Sequence, residues 1–280
     1  MRDRSIFSLF VSIVGRLHGI KVILYNQTAI ISDVRVGINK RLWRTLFPRN
    51  VMSPVLYRND LNLQKKQVRY EYALKIKYSY WIPFVTHNGL DYKIKTFQNK
   101  IRILSVARFS PYKNHEILIK ALKRLIEIGK SIELTIVGHY IQSDKKYYHE
   151  IISLIDSFSL SDNVRIVTSV EYDDMINYYE WADIFVLTSK RELASVAVAE
   201  AITNGVAVIS TSNNGTASYI IHGENGLIFT SDDLDSLVNQ MLLLIDNHDL
   251  RIRMSLSGVR FAREYFHFSK FYDFLIAPKE

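Results

Sequence analysis

The sequence contains no cysteine in 280 residues, which excludes disulfides and thiolate metal sites and gives secretion no support. The compartment is left open by this, with the cytoplasm as the default expectation. The opening stretch Ile6-Phe-Ser-Leu-Phe-Val-Ser-Ile-Val14 is too short to span a bilayer. Serines break it, and Gly15-Arg-Leu-His18 follows where a signal peptide would have small residues, so a helix packed on a sheet is expected. Acidic residues are scarce at the start. Residues 1–100 carry 18 Lys+Arg against 5 Asp+Glu, a net +13, and the remaining residues carry 18 against 23, a net −5. No zinc-ligand spacing or RNA-binding signature occurs, and the cations are dispersed instead of stacked on one helix, so nucleic acid is not expected as a partner. An anionic membrane surface is one reading of the basic part, and a solvated basic surface is the other.

What is present is the composition of a soluble globular protein, 48% apolar and 23% charged, with length enough for a substantial core. From residue 101 the pattern is regular. Buried-strand runs fall at 101–106, 134–137, 164–167, 184–187, 206–209 and 227–229, and amphipathic helical stretches at 115–127, 146–157, 173–180, 195–203, 234–245 and 249–265. Strict alternation of such strands with helices predicts an α/β fold with a doubly wound parallel sheet. The basic part is less regular. Extended runs are expected at 19–25, 51–57 and 80–85, a polar surface helix within 59–79, and a linker at 91–100.

The most informative stretch is Leu187-Thr-Ser-Lys-Arg-Glu-Leu-Ala-Ser-Val-Ala-Val-Ala-Glu200, a strand end, a polar turn and a helix of small residues stopped by Gly205. Such a unit offers unpaired N–H groups at the helix start to an anion. Glu192 and Glu200 flank that spot, although a dipole partner and a solvent-facing helix residue would also account for them. Arg108 and Lys113 follow the strand at 101–106, where a diphosphate would bind at the switch point of the sheet. Together they could neutralise a leaving group gaining charge. An acid at the position of Glu200 suits ribose hydroxyls. His115 is expected on a helix surface, with phosphate contact as the other reading, and His87 is a weaker sugar contact. No Asp-x-Asp pair occupies a plausible metal site, since capping accounts for Asp232-Asp233, and neither a metal nor a cofactor is expected.

Several patches in register carry a family resemblance: Ser105-Val-Ala-Arg-Phe-Ser-Pro-Tyr-Lys-Asn114, Ile136-Val-Gly138, Ala182-Asp-Ile-Phe-Val-Leu-Thr-Ser189, the pair Glu192 and Glu200, Gly205-Val-Ala-Val-Ile209, Asn214-Gly-Thr216 and Gly223-Glu-Asn-Gly226. The chain resembles the C-terminal nucleotide-binding domain of retaining GT-B glycosyltransferases, in the glycosyl transferases group 1 family. The resemblance implies a GT-B-like fold with a complete Rossmann-like C-terminal domain at 96–265, a partial, acceptor-side N-terminal domain at 1–95, and a tail helix at 266–280 crossing back to it as one option. Arg108, Lys113 and Glu192 are implied as catalytic, Glu192 through contact with the donor sugar. The backbone amides of Leu193, Ala194, Ser195 and Val196 are implied to meet the donor, Glu200 its ribose, and Gly138 and Val170 its base.

Two departures from the family pattern are local, and a larger one is expected at the N-terminal side, where the family's opening strand and Gly-rich loop have no counterpart. Leu193-Ala-Ser195 stands where the family carries Gly-Phe-Gly, which is expected to reshape the sugar pocket, and Ser218 replaces a familiar carboxylate. The activity implied is transfer of a hexose from a nucleotide diphosphate sugar to a lipid-linked saccharide or growing surface polysaccharide such as O-antigen, with retention and without a metal, at the cytoplasmic face of a membrane. The sparse strands of the basic part make a catalytically incomplete remnant, or a subunit needing a partner chain, the alternative expectation. A glycoside hydrolase would also need two carboxylates, but the strand-turn-helix setting and the Arg/Lys pair favour nucleotide binding.

Overall fold

In this computed structural model the described residues are 100–190, 192, 195–213 and 220–266, with short pieces at 10, 13–15, 17–19, 24–25, 50–53 and 77–80. The chain divides into two compact units, one of Met1–Pro83 with Ser269–Glu280 and one of Phe84–Phe268. The first contains a parallel sheet of β1 (Leu24–Tyr25), β2 (Asn50–Ser53) and β3 (Lys77–Tyr80), in that order. Residues 77–79 are therefore strand where the sequence predicted the end of a surface helix. Parallel pairing with β2 accounts for this, since ladder pairing outweighs local polarity. Residues 10, 13–15 and 17 are helical, with Phe10, Ile13 and Leu17 exposed. The expected boundary at 95/96, the tail after 266 and His87 lie outside the described residues.

The second unit is built on six parallel strands, β4 (Ile101–Val106), β5 (Ile132–Val137), β6 (Val164–Val167), β7 (Ile184–Leu187), β8 (Ala207–Thr211) and β9 (Leu227–Phe229). Their order across the sheet is β6-β5-β4-β7-β8-β9. The chain runs outward from β4 to one edge, then returns to β7 and proceeds to the other, so the order reverses between β4 and β7. In an open α/β sheet such a reversal is where a ligand crevice is expected, outside the C-terminal ends of those two strands.

Among the described residues four α-helices connect successive strands, α1 (His115–Glu127), α2 (Lys145–Ser157), α3 (Met175–Trp181) and α4 (Val196–Thr203), and two follow β9, α5 (Leu234–Asp246) and α6 (His248–Tyr265). On one face Ile103, Ile136, Val186 and Ile209 are sealed by apolar residues of α1, α2 and α5. On the other, α3 packs on β4 and α4 packs against α6. Strands buried on both sides read as unbroken apolar runs, as Ile184-Phe-Val-Leu187 does. The expected helix start at 173 is instead a 3-10 turn at Tyr172–Asp174, with α3 beginning at Met175. The α/β, Rossmann-like architecture expected from the sequence is the one observed.

Candidate functional site

The loops after β4 and β7 are stitched together at the crevice. Thr188 Oγ1 donates to the Lys113 carbonyl at 3.0 Å, and the Lys190 N–H donates to the Tyr112 carbonyl at 2.8 Å. This brings Lys113 beside Glu192, whose Oε2 accepts from Lys113 Nζ and, at 3.1 Å, from Ser189 Oγ. Both charged side chains keep a minor solvent-accessible fraction, 23% for Lys113 and 15% for Glu192. The ammonium therefore sits at the switch point, paired yet reachable. Arg108, on the same β4 loop, is more exposed and forms a 3.4 Å ion pair with Asp144 from the loop before α2.

Asn114 and Asp232 both adopt left-handed backbone, with φ of 54° and 61°, a conformation that short polar residues tolerate better than most. Asn114 precedes α1 but does not cap it with its side chain. Its Nδ2 reaches Asp232 Oδ1 at 3.0 Å instead, and Lys190 Nζ meets the same oxygen at 3.1 Å. Asp232 was expected to belong to a helix cap. Only Asp233 does so, accepting from the Ser236 N–H at 2.9 Å, while Asp232 ties the β9 loop to the other two.

His115, expected on a helix surface, is 1% exposed. Its ring stacks on Phe109, with centroids 4.7 Å apart and an interplanar angle of 19°. Burial pulls its pKa down to about 4, opposed by the Ala107 carbonyl and reinforced by the Lys113 charge. The Tyr147 hydroxyl accepts from the His115 N–H at 3.0 Å and satisfies an open donor of α1.

Ser195 caps α4, its Oγ accepting from the Val198 N–H at 3.3 Å, and Val196 is exposed at the first position of that helix. Leu193 and Ala194 lie outside the described residues, as does Ser218. Glu200 lies deeper in α4 and is 6% exposed, not solvent-facing as a mid-helix acid usually is. Its Oε2 accepts from the Tyr179 hydroxyl at 2.7 Å. Burial, and then the Glu200 charge, push the Tyr179 pKa well above 10.

Gly138, at the end of β5, lies against the β4 loop. A Cβ there would stand 2.0 Å from the Ala107 carbonyl oxygen, so only glycine permits this approach. Val170 borders a cleft of about 460 Å³ lined also by Arg165, Ser169, Glu171, Asp174 and Tyr178, and Gly138 is not part of that lining. No site role was expected for Ser189, Lys190, Asn114, Tyr179 or Asp232. Ser189 and Lys190 lie inside the turn already singled out and Asn114 ends the patch that begins at Ser105, which were the available signals.

The family model for glycosyl transferases group 1 matches residues 90–259, well over half of the chain. The chain belongs to the glycosyl transferases group 1 family. It is 26% identical over 132 residues to the mouse GDP-Man:Man(3)GlcNAc(2)-PP-Dol alpha-1,2-mannosyltransferase, covering 45% of this chain and 27% of that protein. It is 30% identical over 151 residues to the amylovoran biosynthesis glycosyltransferase AmsK of Erwinia amylovora, covering 51% and 36%. The family member thus spans about a quarter to a third of the length of these two relatives. The crystal structure of Anabaena HepE in complex with UDP-glucose superposes with a TM-score of 0.72 at 16% identity, covering 95% of this chain and 74% of that one. At that identity the likeness is one of fold, that of the GT-B glycosyltransferases. No helix among the described residues is long and apolar enough to cross a membrane.

Proposed function

We propose that this glycosyl transferases group 1 protein moves a hexose from a nucleotide diphosphate sugar to a saccharide acceptor with retention of anomeric configuration. The observation that carries the reading is the switch-point cluster, in which Lys113 is held against Glu192 and Ser189 while Arg108 stands on the same loop. Two cations at the mouth of a parallel sheet suit a diphosphate, and they gain most when its charge grows as the glycosidic bond breaks. Ser195 and Val196 lie at the start of α4, where open N–H groups favour phosphate or sugar oxygens, and the backbone amides of Leu193 and Ala194, just before them in sequence, serve the same donor. Glu200 meets the ribose, Glu192 the donor sugar, and Gly138 and Val170 flank the base.

In the reaction the bond between the anomeric carbon and the diphosphate oxygen breaks, and a bond to the acceptor oxygen forms on the same face. The acceptor proton passes to the departing diphosphate, so no side-chain nucleophile is required and no metal is invoked. HepE was crystallised with UDP-glucose, which supports a nucleotide-sugar donor. The mannosyltransferase named for a PP-Dol substrate and the amylovoran enzyme support a lipid-linked or polysaccharide acceptor, met at the cytoplasmic face of a membrane to which the basic residues of the first unit are drawn.

The test is incubation of the full chain with UDP-glucose or GDP-mannose and a polyprenyl-diphosphate saccharide, followed by NMR of the product. A new glycoside with the donor's anomeric configuration is expected. Inverted product would overturn retention, and release of free sugar without a nucleotide requirement would make the protein a hydrolase.

A further inference from the structure

Glu200 stands in an unusual setting for a residue that must meet a ligand. Its carboxylate is withdrawn into the second unit and engaged by a phenol from another helix, α3. Tyr179 is fully buried and lies beside the ring of Phe185 on β7, with centroids 6.2 Å apart. Its hydroxyl is therefore presented from a fixed ring, and a tyrosine hydroxyl has one hydrogen to give. That hydrogen goes to Glu200 Oε2.

A glutamate side chain has three torsions, and an acid left to sample them would hold a diol poorly. A charge-assisted hydrogen bond of 2.7 Å to a rigid donor selects one orientation of the carboxylate plane. We infer that Tyr179 is the positioning residue of the donor site, fixing the Glu200 carboxylate so that it recognises the ribose of the nucleotide. This rests on the reading that Glu200 meets the ribose. Tyr179 touches no reacting atom and acts only through Glu200. Its hydroxyl stays protonated across the working pH range, because burial and the adjacent carboxylate raise its pKa well above 10, so the donor is never lost.

A positioning role and a plain packing role differ in what they do to sugar recognition. Ribose hydroxyl recognition is read by titrating the full chain calorimetrically with UDP and GDP and with their 2′-deoxy counterparts, in parallel with thermal denaturation. The wild type should prefer the ribonucleotide by about tenfold or more, the usual scale for a hydrogen bond to a charged group. Glu200→Gln should remove most of that preference, and Tyr179→Phe, which deletes the hydroxyl and keeps the ring, should remove a comparable part. Leu125→Val, a buried core change in α1 on the other face of the sheet, should lower the melting temperature while leaving the preference intact.

If Tyr179→Phe lowers the melting temperature yet keeps the full ribose preference, the positioning role is refuted while the Glu200 contact stands. If Leu125→Val erodes the preference as far as Tyr179→Phe does, general loosening is responsible and the proposal is overturned. Equal binding of both sugars by the wild type, or no binding of either nucleotide, would remove the ribose contact and the proposal with it.

Discussion

Glu192 gives one oxygen, Oε2, to two donors at once, the Lys113 ammonium and the Ser189 hydroxyl. This shared acceptor joins the turn after β4 to the turn after β7, and it parks the ammonium at the crevice before any diphosphate arrives. A bound anion would compete with Glu192 for the same ammonium, leaving the carboxylate Ser189 as a partner and freeing it towards the sugar.

Replacing Lys113 by Met should therefore cut kcat/KM for glycosyl transfer by about a hundredfold or more, the usual loss when one electrostatic donor to a transition state is removed. Ser189→Ala should cost less, because Lys113 still holds Glu192. Steady-state kinetics on the two variants checks the order, which reverses if Ser189 and not Lys113 supports the chemistry.

His115 makes stability depend on pH. Its folded pKa of about 4 lies below the ordinary 6.5, so between those values the unfolded chain binds more protons than the folded one. Its contribution is complete above about pH 6.5 and is lost as the pH falls towards 4, roughly 3 kcal/mol in all. Urea denaturation across that window should show the slope, and His115→Phe, which retains an aromatic face against Phe109, should flatten it.

Arg102 and Asp183 form a two-pronged pair at 2.8 and 3.1 Å, and the Arg102 N–H adds a third bond to the same carboxylate at 2.9 Å. Both side chains are largely buried. Asp183→Ala leaves a guanidinium without its partner and should cost about 3–5 kcal/mol of folding free energy. Chemical denaturation measures it. Nucleotide affinity should be unchanged at temperatures where the variant remains folded, since the pair lies at the start of β7 and the crevice at its end.

Much of the second unit was legible because its strands are buried on both faces. Runs such as Ile184-Phe-Val-Leu187 have no polar interruption, and Asp233, expected at a helix start, caps α5. Of the candidate site, Arg108, Lys113, Glu192 and Glu200 were singled out through local spacing and family likeness, but not the bonds that join Lys113 and Ser189 to Glu192 and Tyr179 to Glu200. Asp232 was not, because its partner Asn114 is 118 residues away and a local cap explained it too readily. His115 was expected on a helix surface, yet stacking on Phe109 draws it inside. Tyr179 was not singled out, because nothing local marks a hydroxyl whose acceptor lies on another helix. Residues 77–79 went wrong for a related reason, since strand pairing is not a local property.

The central claim is that the cations after β4 hold the diphosphate of a nucleotide sugar. It is tested most directly by the ligand-induced thermal shift of the wild type, Lys113→Met and Arg108→Ala with UDP-, GDP- and ADP-sugars. For the sugar that binds, a hundredfold excess over the dissociation constant should stabilise the wild type by about 2.7 kcal/mol, and each variant should lose most of that gain at the same ligand concentration. Equal stabilisation of all three proteins, or none of the wild type by any sugar, would contradict the account.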